Sequence, residues 1–68
     1  MADKFSLFAD DDGDLYLSKN GFVVEVFSRG KGCWVEISRP YVPSPYNNSV
    51  SFERMLSMTS GVKPKRLQ

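Results

Sequence analysis

Four carboxylates crowd into five residues at Asp10-Asp11-Asp12-Gly13-Asp14, and oxygen ligands at that density are what a calcium ion takes. The spacing does not fit an EF-hand loop. With Gly13 as the sixth loop residue, the first ligand position falls on Phe8 and the last on Lys19, and neither supplies a carboxylate. The cluster reads instead as a solvated hairpin tip whose aspartates serve turn geometry, and no metal is assigned to it. Cys33 is the single cysteine, and the chain has no histidine. A catalytic thiolate needs a base and a zinc site needs several Cys or His ligands, so both chemistries lack their parts. Glu25 and Glu36 remain as an acid/base candidate, but that chemistry needs a cleft, which so small a sheet seldom provides. The expectation is a non-enzymatic chain without a cofactor, with Cys33 a small hydrophobe on the core side.

Length and charge narrow the classes further. Sixty-eight residues make one domain, and a chain of this size buries only about 60% of its unfolded surface. With neither a disulfide nor zinc available, oligomerisation or a bound partner is the remaining support, and monomer and homodimer both stay open. The net charge of +1 argues against strong nonspecific attraction to nucleic acid or membrane. Its distribution is uneven. Asp3 and the Asp10–Asp14 cluster load the first strand and turn, while Lys63, Lys65 and Arg66 make the last segment basic. The start, Met-Ala-Asp-Lys-Phe-Ser, lacks a basic region followed by an apolar stretch, and no apolar run approaches the roughly 20 residues of a membrane span. A cytoplasmic protein without membrane contact is expected, in keeping with the lone cysteine.

The elements that would position these residues follow from alternation and turn chemistry. Apolar residues alternate through 4–9, 14–19, 22–28 and 33–38, the period of strands. Gly13 suits the left-handed position of a three-residue hairpin loop, which sets Ala9 opposite Leu15 and Leu7 opposite Leu17. Asn20-Gly21 is a type I′ turn signal that sets Lys19 opposite Phe22, Leu17 opposite Val24, and Leu15 opposite Val26. Ser28 and Cys33 close the third connection and match Val26 with Val35 and Val24 with Ile37. Three prolines in residues 39–46 forbid a central strand and read as a stiff segment crossing over the core, or as a ligand for a proline-recognising groove. Asn47, Asn48 and Ser49 are competent caps for a helix over 49–60, with Phe52, Met55, Leu56 and Thr59 at helical spacing and Gly61 as the stop. Residues 62–68 read as a flexible basic tail. The predicted fold is α+β: within a single domain over 1–61, a four-stranded antiparallel meander with one C-terminal helix packed on one face.

In this register Leu7, Ala9, Leu15, Leu17, Val24, Val26, Val35 and Ile37 form the covered face. The other face then carries Phe8 beside Tyr16 and Phe27 beside Trp34, with Glu25 and Glu36 between. Large apolar side chains on a solvated sheet face tend to mark interfaces, and Trp and Tyr often carry binding energy. Phe8, Tyr16, Phe27 and Trp34, with Arg29 and Lys31 at the turn, are the candidate partner-binding residues. The expected function is a small protein-binding module acting on a larger protein, a role that phage and other mobile-element products often fill. The alternative is a single-stranded nucleic-acid binder that stacks bases on the same rings. Lys19-Asn20-Gly21-Phe22-Val23-Val24 resembles one strand of cold-shock RNA-binding domains; the likeness covers that strand alone, so no family is assigned.

Overall fold

Three hairpin turns fall where their residues demand them. A computed structural model describes residues 4–68, so Asp3 lies outside the described residues. Strands β1 (Phe5–Ala9), β2 (Leu15–Lys19), β3 (Phe22–Ser28) and β4 (Cys33–Pro40) run as an antiparallel meander. Gly13 takes the left-handed conformation at φ 83°, and Asn20 and Gly21 do so at φ 52° and 85°, as the two turn types require. Ala9 faces Leu15, Leu7 faces Leu17, Lys19 faces Phe22, and Val26 faces Val35, all as expected.

A fifth strand corrects the four-strand expectation. β5 (Asn48–Ser49) pairs with β1, giving the order β4-β3-β2-β1-β5. The Val50 N–H also reaches Leu7 O at 3.0 Å, so residues expected to cap the helix satisfy the edge of β1 instead. Helix α1 (Phe52–Thr59) starts later, at Ser51, whose Oγ accepts the Arg54 N–H at 3.1 Å. It ends at Ser60, in the left-handed conformation, with the Gly61 N–H donating to Leu56 O at 2.8 Å.

One extra residue in β3 reverses which side chains face the helix. Ser18 pairs with Val23, but Leu17 pairs with Glu25, leaving Val24 as a bulge. The expected pairings of Leu17 with Val24 and Leu15 with Val26 are therefore replaced, and Tyr16 faces Val26. A second shift against β4 removes the expected match of Val24 with Ile37. Beyond the bulge, Glu25, Phe27 and Trp34 lie on the side of Leu15 and Leu17. Val26, Val35 and Ile37 turn to the other side and are half-buried. Cys33 turns with them and is exposed rather than on the core side. Val24 still packs toward the core. The exchange favours folding because an aromatic ring buries about 150–250 Å². At about 25 cal/mol per Å², that outweighs a valine in the same place by something on the order of 1–3 kcal/mol.

The core consists of Leu15, Leu17, Trp34 and Met55, with Phe27, Leu56, Val62 and Leu67 packed around it. Trp34 is 1% exposed, and its Nε1–H donates to Val62 O at 3.0 Å. The final segment, expected to be a flexible tail, is packed into this side. Pro64 is fully buried, and Lys65–Leu67 form a short 3₁₀ helix.

Candidate functional site

The proline-rich segment crosses the sheet on the side opposite α1, not over the helix-side core. It leaves β4 with the Tyr41 N–H donating to Gly21 O at 2.9 Å. The Tyr41 ring then meets Phe8 edge-on, with centroids 4.7 Å apart. Before it, the Arg39 guanidinium lies 5.5 Å over the Tyr16 ring. After it, a turn reverses the chain toward β5. The Asn47 N–H donates to Ser44 O at 3.1 Å, and Ser44 Oγ accepts the Tyr46 N–H at 3.2 Å. Pro45 is pre-set for such a turn. The strap thus has one ring directed at the sheet and two large apolar side chains directed away. Val42 is 73% exposed and Tyr46 63%.

Tyr41 and Phe8 form a shared wall between two open grooves. One, of about 370 Å³, is lined by Lys4, Ser6, Ser18, Asn20 and Ser49. The other, of about 390 Å³, is lined by Asp10, Tyr16, Val23, Arg39, Val42 and Asn47. Both are shallow and mix polar with apolar walls.

The six residues predicted to bind a partner do not share one face. Phe8 and Tyr16 stack at 5.2 Å on the strap side, where Tyr41 covers Phe8 down to 7% exposure. Phe27 and Trp34 sit 5.5 Å apart on the helix side, within or against the core. Arg29 is exposed and pairs with Asp14 at 3.1 Å, tying the third turn to the first, and Lys31 is exposed in the same turn. The docking surface expected from the aromatics is divided between two faces, because the bulge carries half of it across the sheet.

The acidic turn is organised around Asp10. Its Oδ1 accepts the N–H groups of Asp12 and Asp14 at 3.0 Å each, and its Oδ2 accepts the Tyr16 hydroxyl at 2.8 Å. Burial pushes this carboxyl up, but the bonds from Tyr16, Asp14 and Asp12 outweigh it and hold the group below its ordinary value of 3.8. Burial, then the bond to Asp10 and the charges of Asp10 and Asp14, raise Tyr16 above its ordinary 10.0, with Arg39 opposing. The carboxylates of Asp10, Asp11 and Asp12 come within 4.8 Å of one another. Both Asp10 oxygens are already engaged in the turn, as its geometric role predicts.

Glu25 is the residue that sequence reasoning placed least well. Expected in solvent opposite Glu36, it is 0% exposed on the helix side. Its oxygens accept the backbone N–H groups of Lys65 at 2.7 Å and Arg66 at 2.9 Å, and the Arg66 guanidinium lies 3.7 Å from one of them. Glu36 does face it across the strands, exposed, and shares the same guanidinium at 3.5 Å. This carboxylate caps the 3₁₀ helix and fastens the last segment to the sheet. Among the described residues, no buried side-chain polar atom lacks a partner. The one available signal was an acidic residue inside an apolar run and a basic segment able to reach it.

Comparison with known proteins adds no relative: no family model, no curated protein and no solved structure matches the chain significantly. Among the described residues, no helix is long and apolar enough to cross a membrane.

Proposed function

We propose that this chain is a small protein-binding module that docks on a larger protein through its strap rather than through the open sheet. The observation that carries this reading is the exposure of Val42 and Tyr46 on a segment already anchored by Tyr41 and the Ser44–Asn47 turn. Large apolar side chains normally cost the free chain solubility, and ones held in a fixed geometry lose little entropy on binding. A tyrosine at a turn tip is also the residue type that most often concentrates interface energy. The grooves beside Tyr41 give a partner polar groups at the rim, Arg39 and Asn47 among them. A cytoplasmic setting belongs to the same reading.

The nucleic-acid alternative has less support. Phe27 and Trp34 are turned under the helix, and Glu36 stands exposed beside them. Stacking would therefore need rings from the strap.

The experiment is immobilisation of the chain, capture from lysate of the native source, and the same capture with Val42→Asp and Tyr46→Ala. Loss of a captured protein in both variants, with unchanged circular dichroism, supports the strap. Capture that survives both removes it. Salt-sensitive capture of single-stranded oligonucleotides would favour the alternative instead.

A further inference from the structure

The two edges of the sheet are treated differently. β1 is covered by β5 and by the Val50 N–H. β4, the longest strand, pairs only with β3 among the described residues. Alternate N–H and C=O groups along Cys33–Pro40 therefore point away from the sheet without a backbone partner, a template for another strand. Natural edges are usually guarded by outward charge. Here Glu36 is drawn to Arg66, and Arg39 is laid over Tyr16, so both charges of the strand are folded back on the chain itself. Proline comes only at the end, at Pro40. Beside this edge, on the strap side, lie the valines that the bulge turned out of the core: Val26 and Val35 face each other and are half-buried, with Ile37 in line.

We infer that β4 pairs antiparallel with β4 of a second copy of this chain, about a two-fold axis at Val35, to make one continuous sheet. The register argues for a self-pairing. A two-fold at Val35 sets Val35 against itself, Trp34 against Glu36, and Cys33 against Ile37, with no like charges opposed in this stretch; Arg39 comes level with Lys31 only in the turn, outside it. A two-fold at Glu36 would instead oppose two carboxylates, which destabilises a pair. The chosen centre lies within the stretch Cys33–Glu36, where the β3 register is regular, and only Ile37 of the paired residues reaches into the irregularity. It joins Val26 and Val35 of both copies into one apolar seam. A net charge of +1 leaves little repulsion between copies. A chain of 68 residues without a disulfide gains the burial that it otherwise lacks. This pairing uses residues other than Val42 and Tyr46, and sedimentation reads it without any docking partner, so the inference stands or falls independently of the docking role.

Sedimentation equilibrium of the full chain tests it. The expected mass is twice the chain mass of 7.7 kDa, reduced to one chain mass by Val35→Lys with the circular dichroism retained. Because Val35→Lys could disturb folding, a second variant removes that ambiguity: Val35→Cys with Cys33→Ser should form an intermolecular disulfide on mild oxidation, whereas Ser38→Cys with Cys33→Ser should not. A chain that stays monomeric at the highest concentration it tolerates overturns the inference. A dimer that survives Val35→Lys and does not cross-link through Val35→Cys shows that the copies meet elsewhere, which overturns it equally.

Discussion

On its helix side the sheet buries Leu15, Leu17, Trp34 and Met55 in one cluster, while on its strap side a single ring, Tyr41, stands over Phe8 with an open groove to each side. A helix delivers several side chains from one face to one place, at a spacing the backbone enforces. A proline-rich strap has no such period and meets the sheet through one anchor. The helix side therefore holds most of what folds the chain, and the strap side is left free to present Val42 and Tyr46. Two faces of five strands divide the work between stability and recognition.

Removing the central ring from each side gives the sharpest test of that division. Trp34→Ala deletes a fully buried side chain and leaves Val62 O with the Thr59 hydroxyl as its remaining donor, and such losses cost about 3–5 kcal/mol. A domain this small has only a few kcal/mol to lose, so the variant should be largely unfolded by circular dichroism in buffer. Tyr41→Ala removes one edge-on aromatic contact from a half-open site, worth roughly 1–2 kcal/mol, and should still unfold cooperatively at a lower urea midpoint. Equal losses from the two substitutions would dissolve the distinction between the faces.

Glu25→Gln probes the fastening on the helix side. The amide keeps the shape but turns an N–H₂ toward a backbone N–H that now has no acceptor. A buried donor left unpaired costs about 1–3 kcal/mol. The final segment should loosen before the sheet does. Trypsin should then cut after Lys65 and Arg66 several times faster than in the parent chain, while the β signal persists. Unchanged cleavage would mean that Pro64 and Leu67 hold the segment without the carboxylate.

The turn residues made three hairpins and the pairings next to them legible, because Gly13, Asn20, Gly21 and Gly32 act through backbone conformations that few other residues adopt. The bulge at Val24 was not legible. Nothing in Phe22-Val23-Val24-Glu25-Val26 marks an extra residue, and strict alternation put Val26 and Val35 inside with equal plausibility. The choice is made by tertiary packing, where Phe27 and Trp34 outweigh two valines once the last segment can reach Glu25. Long-range partners also explain the other differences: β5 forms because β1 needs an edge partner, and the basic segment is pinned by a carboxylate 40 residues earlier in the chain. The proline-rich segment was expected to pass over the core, and its Tyr41 instead meets Phe8 on the other side of the sheet, a contact that no local signal in residues 39–46 specifies.

The smallest expected effect belongs to the acidic turn on the strap side, and its sign differs at the two ends of the pH scale. Asp10 is held below its ordinary 3.8, so its bonds contribute fully above that pH. The contribution declines as pH falls through the lowered folded value and is gone below it. Tyr16 is raised above 10.0, so its contribution is complete below that pH and is lost as pH rises through the raised value. Both limbs share one bond, from a neutral phenol to an ionised carboxylate at 2.8 Å, to which the Asp12 and Asp14 N–H groups add on the acid side and burial adds on the alkaline side. Tyr16→Phe should keep the stacking on Phe8 and remove the alkaline limb, while Asp10→Asn should flatten the acid limb and release the Asp12 and Asp14 N–H groups from a charged acceptor. Urea midpoints taken across the acid and alkaline ranges would check each limb separately. If the turn matters only locally, Trp34 burial should be unaffected in both variants, and its fluorescence maximum should not move. A red shift would mean that the strap-side turn and the helix-side core are coupled through β2, where Tyr16 lies between Leu15 and Leu17.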